Sequence, residues 1–338
     1  MDNWVLVGPH KVEKREQSES EITATQVKVK VSHVLVSNFD AFCYTGDKKI
    51  PYPRTPGRFA IGIVTETGSA CYGVKKGARV CLNSVRPCGK CLSCKTGNKD
   101  ECEHVEVAGI DFDGFLRDFV VCEYTDVTVI PDSVNDLAAL CIEHVALAEN
   151  IFDKLNLPAG ASVAIVGAGF LGSILTQIVL YHKLVPIVID NNPKNIERLK
   201  RSGAFFTFEA DDSLMANIDE ATSGSMCDAS IYTSCCKLTS TVPANALANG
   251  KDLVLGGFCT VNFTMDTRPI FEKNLRMYAV SNGYGYNETA INMLVHGAID
   301  LSNFEKEILT EFDVGKLYEE RAEKASYTAK MTVLKLIM

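Results

Sequence analysis

The chain has 338 residues and a formal net charge of -8; 46% of its residues are hydrophobic and 22% are charged. This length allows two globular domains, and the composition is that of an ordinary folded protein. The negative charge argues against a nucleic-acid partner. No apolar run reaches the roughly 18 residues of a membrane span, and the first residues lack an apolar signal core, so we expect no membrane partner and a cytoplasmic location.

The first part of the chain, residues 1–148, alternates short β-rich runs with Gly, Pro and Asp. We predict strands at 26–36, 60–66, 79–82 and 119–121. Short strands separated by turn residues are typical of an all-β or barrel-like domain.

Four cysteines lie close together in the stretch VRPCGKCLSCKTGNKDEC: Cys88, Cys91, Cys94 and Cys102. Their short spacers allow one loop to fold around a single zinc ion, and four thiolates complete its tetrahedral shell. The alternatives are disulfides or free thiols. The total of 13 cysteines suits a reducing compartment, so we favour one structural zinc ion per chain.

Residues 149–284 have a different pattern, in which continuous apolar runs alternate with helical stretches. We predict buried strands at 162–166 and 185–190 and a helix at 173–182. Strands of this kind, separated by helices, indicate a parallel sheet covered on both faces. Residues 285–338 contain a further predicted helix at 288–296 and a strand at 333–337.

A glycine-rich turn joins the first of these strands to its helix, and it reads Gly167-Ala-Gly169-Phe170-Leu171-Gly172. A GxGxxG between a strand and a helix predicts a dinucleotide site, because the glycines allow a tight turn and close approach of a pyrophosphate. The alternative is a turn that binds no ligand.

Asp190 ends the second strand, at the position where an acidic side chain can bind both ribose hydroxyls of an adenosine. The same carboxylate repels a 2′-phosphate. Asn191 follows it instead of an arginine, so the sequence favours NAD(H) over NADP(H).

The cysteine quartet followed by this strand, turn and helix resembles the medium-chain dehydrogenase/reductase superfamily, which contains the zinc alcohol and polyol dehydrogenases. The resemblance extends through 80–102, 112–115, 129–132 and 247–257, of which 112–115 and 129–132 match strands of the family. It implies an α/β fold class with a GroES-like β domain (1–148 and 285–338, with a zinc lobe at about 80–104) and a Rossmann domain with a doubly wound parallel sheet (149–284). It also implies an active site between the domains and a homodimer or homotetramer.

The resemblance fails at the positions where zinc enzymes of this family bind catalytic zinc. Ser37 stands in place of a cysteine ligand and Arg58 in place of a histidine ligand, whereas Glu143 matches an acid that polyol dehydrogenases place near the metal. Serine is a poor zinc ligand and a guanidinium repels a cation, so we predict that this site holds no zinc. Asp40 matches an acidic residue that, in this family, lies beside the metal ligands without binding the metal itself.

We therefore name Arg58, Glu143, Ser37 and Asp40 as candidate catalytic residues. Arg58 either replaces the charge of the metal and binds a substrate oxygen, or forms a plain salt bridge with Glu143. Glu143 either transfers a proton or anchors Arg58.

Five further residues are weaker candidates. His144 could reach the cleft or the cofactor, although a packed core histidine is the expectation. Tyr284 and Tyr286 could donate a proton, but we expect them to pack or cap. Cys235 and Cys236 are expected to be small residues beside the cofactor.

Two functions remain open. The first is an NAD(H)-dependent oxidoreductase without catalytic zinc, which acts on a small-molecule carbonyl or alcohol (polyol-like) or on an activated C=C bond. The second is a protein that binds and senses NAD(H) without catalysis. The intact glycine turn and Asp190 favour the enzyme.

Overall fold

The computed structural model describes residues 2–16, 21–233, 241–257, 265–324 and 329–336. The strands in these ranges are β1 (Asp2–Gly8), β2 (Lys11–Glu16), β3 (Gln26–Leu35), β4 (Phe59–Thr67), β5 (Arg79–Leu82), β6 (Val85–Arg86), β7 (Glu106–Val107), β8 (Phe119–Glu123), β9 (Val127–Val129), β10 (Ser162–Val166), β11 (Val185–Asp190), β12 (Phe206–Glu209), β13 (Cys227–Tyr232), β14 (Leu247–Gly256), β15 (Arg276–Val280), β16 (Lys306–Leu309) and β17 (Met331–Lys335).

The α-helices in these ranges are α1 (Asn38–Thr45), α2 (Leu92–Lys95), α3 (Asp136–Ala139), α4 (Ile142–Leu155), α5 (Phe170–Tyr181), α6 (Pro193–Arg201), α7 (Leu214–Ala221), α8 (Val242–Asn245), α9 (Arg268–Glu272), α10 (Asn287–Val295) and α11 (Val314–Lys324). None of the helices within the described ranges is both long enough and apolar enough to span a membrane.

The first sheet is mainly antiparallel and has the strand order β16-β17-β3-β4-β5-β9, with β8 also paired to β3. Valine and lysine alternate along β3: Val27, Val29 and Val31 are buried, and Lys28 pairs with Glu66 at 3.2 Å. The three valines share one face of the strand, which packs on a core, and Lys28 on the opposite face is buried as well. Strands β16 and β17, which come late in the chain, complete this sheet.

The second sheet is parallel and has the order β12-β11-β10-β13-β14-β15. This is the strand order typical of dinucleotide-binding folds. Residues 163–166 of β10 are completely buried, as expected for a sheet covered on both faces. The two sheets confirm the predicted fold class, whereas the domain boundaries stay a prediction.

Helix α4 connects the two halves of the molecule. One apolar core contains Ile61 of β4, Ile142 of α4 and Val163 of β10. Because this core is continuous, the side chains at the start of α4 lie where the two sheets meet.

The local predictions are accurate for the buried strands and less so elsewhere. The strands predicted at 79–82, 162–166 and 185–190 have the observed bounds. The segment 112–115 is not a strand, since Phe112 forms only an isolated bridge with Ala108. Strand β9 ends before Pro131, which lacks the N–H that a strand interior requires.

The late elements are displaced by a few residues. Helix α5 begins at Phe170, inside the GxGxxG motif, and not at residue 173; α10 is shifted by one residue from the predicted 288–296. Strand β17 lies at Met331–Lys335; residue 337 of the predicted strand lies outside the described residues.

Candidate active site

The turn after β10 allows the backbone to approach a ligand closely. Gly167 has a φ of 110°, and a Cβ on Gly172 would overlap the Gly167 carbonyl oxygen, so both positions require glycine. Gly169 is the N-cap of α5, has no side-chain cap and faces open space. The first N–H groups of α5, which include those of Phe170 and Leu171, therefore point toward a possible anion.

Asp190 lies beside this turn at the end of β11. Its Oδ2 accepts a hydrogen bond from the Ala168 N–H at 2.6 Å, and its Oδ1 accepts one from the Asn192 N–H at 2.7 Å. A carboxylate can accept further bonds, so ribose hydroxyls can still bind here. Asn191 is exposed at the strand end. The glycine turn and the Asp190 carboxylate together fit a nicotinamide dinucleotide. The binding role of each residue stays a prediction.

Arg198 is a residue of this site that the sequence analysis misses. Its Nη2 donates to the Ala168 carbonyl oxygen at 2.6 Å and to the Ser173 hydroxyl at 2.8 Å. The arginine thus connects α6 to the glycine turn. No motif marks it, because only the packing of α6 against the turn brings it there.

The four predicted metal ligands converge in the structure. The Sγ atoms of Cys88, Cys91, Cys94 and Cys102 all lie within 4.8 Å of one another, and those of Cys91 and Cys102 are 3.9 Å apart. Four sulfurs at about 2.3 Å from a zinc ion would be about 3.8 Å apart. The donor set and its spacing therefore fit one tetrahedral zinc ion.

The surroundings of Cys88 and Cys94 shift the pKa values of these two thiols in opposite directions. Hydrogen bonds from the Lys90 and Cys91 N–H groups lower the pKa of Cys88 to about 6. Burial raises the pKa of Cys94 to about 12. A bound cation is needed to keep all four cysteines as thiolates.

Ser37 and Asp40 form a helix cap. The Ser37 hydroxyl accepts from the Asp40 N–H at 3.1 Å and donates to Asp40 Oδ2 at 2.5 Å, while Asp40 Oδ1 accepts from the Gly57 N–H at 2.9 Å. Burial raises the pKa of Asp40. Neither side chain lines the cleft described next. This placement gives both residues a structural role at the start of α1 and does not support their inclusion among the candidate catalytic residues.

A cleft of about 640 Å³ lies where α4 meets the first sheet. Its lining includes both remaining candidates, Arg58 and Glu143. Neutral polar and aromatic side chains also line it, among them Asn83, Ser84, Tyr124, Thr128, Tyr284 and Asn287. Such a surface offers many hydrogen-bond donors and acceptors around Arg58 and Glu143.

Ser84 links Arg58 to Glu143. Arg58 Nε donates to the Ser84 hydroxyl at 3.4 Å, and the Ser84 N–H and hydroxyl donate to Glu143 Oε1 at 2.8 and 3.0 Å. The guanidinium also lies 5.5 Å from the ring centre of Phe39 and 5.2 Å from that of Phe59. The sequence suggested a direct salt bridge as one alternative, and it contained no signal for Ser84.

Burial controls the ionisation of both groups. It raises the pKa of Glu143 to about 7, although the Ser84 hydrogen bonds and the positive charge of Arg58 act in the opposite direction. Burial also lowers the pKa of Arg58, which remains a cation at neutral pH. Glu143 can therefore gain or lose a proton near neutral pH.

This group of side chains does not fit a second metal ion. The Ser37 hydroxyl is engaged in the α1 cap, and Arg58 brings a positive charge to the position of a ligand. Glu143 and Glu288 are the carboxylates that line the cleft, and among the described residues the cysteine quartet is the group of three or more His, Cys, Asp or Glu side chains close enough to share a metal ion.

The weaker candidates are in different surroundings. Tyr284 lines the cleft, whereas the Tyr286 hydroxyl donates to Asp153 Oδ2 at 2.8 Å outside it. His144 lines the cleft between two aromatic rings. Cys235 and Cys236 lie outside the described residues.

Comparison with known proteins shows related sequences. Residues 23–132 match the family described as alcohol dehydrogenase GroES-like domain. An uncharacterized zinc-type alcohol dehydrogenase-like protein of Haemophilus influenzae is 25% identical over 303 residues, which are 88% of each chain. D-xylulose reductase A of Aspergillus oryzae is 25% identical over 341 residues, covering 97% of this chain and 93% of the reductase.

Solved structures share the whole fold. A short chain alcohol dehydrogenase from Escherichia coli CFT073, complexed with NADH, has a TM-score of 0.86 at 22% identity and covers 99% of both chains. A zinc-binding dehydrogenase from Sinorhizobium meliloti 1021, bound to NADP, has a TM-score of 0.85 at 20% identity and covers 99% of this chain and 98% of that one. At these identities the likeness shows the fold alone.

Proposed function

Because the chain belongs to the medium-chain dehydrogenase/reductase superfamily, we propose that it is an NAD(H)-dependent oxidoreductase. Its proposed substrate is a small polyol-like alcohol or the corresponding carbonyl compound, and it acts without a catalytic zinc ion. The observation that carries this proposal is the Arg58–Ser84–Glu143 connection on the wall of the cleft.

A nicotinamide cofactor, when bound, supplies hydride transfer. The turn of Gly167, Gly169 and Gly172 would hold its pyrophosphate, and Asp190 would bind its adenosine ribose and reject a 2′-phosphate. A zinc ion on Cys88, Cys91, Cys94 and Cys102 would stabilise the lobe without taking part in the reaction, since four thiolates leave no open position.

The residues of the cleft supply charge and a proton site. Arg58 would stabilise negative charge on the substrate oxygen, the task that a Lewis-acid metal performs elsewhere. Glu143, whose pKa is near 7, would accept the hydroxyl proton during oxidation and return it during reduction.

The neutral polar lining supports an alcohol or carbonyl substrate with several hydroxyl groups over an activated C=C bond. Amide and hydroxyl side chains such as Asn83, Thr128 and Asn287 can exchange hydrogen bonds with hydroxyl groups. These three side chains also hydrogen-bond one another: Thr128 Oγ1 donates to Asn83 Oδ1 at 2.9 Å, and Asn287 Nδ2 donates to Asn83 Oδ1 and to Thr128 Oγ1 at 3.0 Å. A polyol would bind through the donors and acceptors that this network leaves over.

The test measures NADH formation with sorbitol, xylitol and galactitol as probes, and NADH consumption with the corresponding ketoses. We expect turnover with at least one probe, and affinity for NADPH about tenfold or more below that for NADH. Arg58→Ala should lower kcat/KM about 100- to 1,000-fold, because it removes the charge beside the oxygen. Arg268→Ala is the matched control, because Arg268 is an exposed arginine paired with Asp266.

If both the wild type and Arg58→Ala bind NADH but turn over no probe in either direction, the alternative of an NAD(H) sensor is supported. Equal affinity for NADH and NADPH would contradict the role given to Asp190.

A further inference from the structure

His144 lies between the cleft and the glycine turn. It follows Glu143 in the first turn of α4. Its ring centre is 4.2 Å from that of Phe59 on the cleft side and 4.8 Å from that of Phe170, the first residue of α5. No other histidine among the described residues lines the cleft.

Two polar atoms of consecutive residues are buried here without a hydrogen-bond partner among the described residues. They are Oε2 of Glu143 and Nδ1 of His144. Buried polar atoms are nearly always paired, and exceptions occur where a ligand or a reaction uses them. Oε2 of Glu143 thus keeps acceptor capacity that no described residue uses, and because Nδ1 of His144 is buried, Nε2 is the ring nitrogen left to face the cleft.

The imidazole of His144 is neutral. Burial, together with the positive charges of Arg58 and Arg321, lowers its pKa to about 3. A neutral ring has one N–H donor and one lone pair. The nitrogen buried without a partner is Nδ1, where a lone pair is less costly than an N–H group, so we assign the proton to Nε2.

We propose that His144 is a catalytic residue, whose Nε2–H binds the reacting oxygen of the polyol-like substrate while Glu143 exchanges a proton with the same oxygen. This inference rests on the proposed oxidoreductase function. It also corrects the expectation that His144 is only a packed core residue.

In the direction of oxidation, the substrate loses one hydride and one proton. A bound nicotinamide would accept the hydrogen of the substrate C–H bond together with its electron pair, as hydride. The O–H bond breaks, its proton passes to the Glu143 carboxylate, and its electron pair forms the C=O bond. His144 keeps its proton throughout, and its hydrogen bond strengthens as charge develops on the oxygen.

Three variants separate this role from packing. His144→Phe keeps an aromatic ring between Phe59 and Phe170 but removes both nitrogens. His144→Gln places an amide donor at about the distance of Nε2, and His144→Asn places one at about the distance of Nδ1. His296→Gln is the control, because His296 is exposed at the end of α10.

Activity is measured with NAD⁺ and whichever of sorbitol, xylitol or galactitol the wild type oxidises fastest. We expect His144→Phe to lower kcat/KM about 100-fold, with NADH affinity and melting temperature close to wild type. The kcat/KM of His144→Gln should be about tenfold higher than that of His144→Phe, whereas the kcat/KM of His144→Asn should be no higher than that of His144→Phe.

A second readout does not depend on turnover. In protein labelled with ¹⁵N-histidine, the His144 resonances, identified by their loss in His144→Phe, should show an Nε2–H tautomer that remains neutral at pH 5. They should shift when the same polyol is added to the NADH complex.

A His144→Phe enzyme within threefold of wild type, or the absence of a polyol-induced shift at saturation, overturns the inference and leaves the proposed function intact. A wild type that binds NADH but turns over no probe overturns both. The two failures are therefore distinguishable.

Discussion

The cysteine lobe and the cleft meet the same requirement, a fixed positive charge inside the protein, in two ways. In the lobe, the sulfurs of Cys88, Cys91, Cys94 and Cys102 converge on one point, and only a cation can keep them ionised together. In the cleft, Arg58 is itself the cation, connected through Ser84 to Glu143. The donor set therefore decides how the positive charge is supplied: several converging thiolates require a metal ion, whereas the Glu143 carboxylate connected to a guanidinium does not.

The largest expected effect tests the lobe. Cys94→Ser removes one of four ligands, and we expect it to release the zinc ion and to lower the free energy of unfolding by on the order of 5 kcal/mol, because the binding energy of structural zinc is folding energy. Zinc content by mass spectrometry and urea unfolding measure both quantities.

Cys71→Ser is the control for this variant, since Cys71 is partly buried and lies outside the quartet. If the wild-type protein contains about two zinc ions per chain, the cleft also binds metal and Arg58 does not take the place of a metal ion there.

A smaller effect concerns the carboxylate of the cleft. The pKa of Glu143 is 4.5 in its ordinary state and about 7 in the fold. Between these values the folded protein binds a proton that the unfolded chain does not, so the free energy of unfolding falls as pH rises from about 4.5 to about 7, by roughly 3 kcal/mol.

Glu143→Gln should flatten this part of the pH profile, as measured by urea unfolding at a series of pH values. It should also remove the titration near pH 7 from kcat/KM. If the variant keeps the slope of the wild type, the slope belongs to another group and Glu143 does not have the raised pKa.

The smallest expected effect tests the glycine turn. In Gly169→Ala the added Cβ meets no atom within 4 Å in the protein, so the free energy of unfolding should fall by no more than about 1 kcal/mol, the cost of alanine at a helix N-cap. The added methyl group would approach the pyrophosphate, and NADH affinity should fall about 10- to 100-fold (about 1.4–2.7 kcal/mol).

Fluorescence titration with NADH measures this loss. Gly8→Ala is the matched control, since Gly8 also faces open space but lies at the end of β1. Unchanged NADH affinity in Gly169→Ala would show that the pyrophosphate does not bind at this turn.

The sequence alone is sufficient to predict those features whose residues lie close together in the chain. The cysteine quartet lies within one loop, and the strand, glycine turn and helix around Gly167 are consecutive, so their spacing already restricts their geometry. Buried strands such as β10 were predicted at their observed bounds, because a continuous apolar run next to a turn has few other stable arrangements.

Only the tertiary structure determined how distant residues combine. Ser84 joins Arg58, which is 26 positions away, to Glu143, which is 59 positions away. The packing of α4 between the sheets places His144 between the cleft and the turn, while the N-terminus of α1 engages Ser37 and Asp40 in a cap. Local spacing carries no information about such contacts, because burial and pKa depend on which elements pack together.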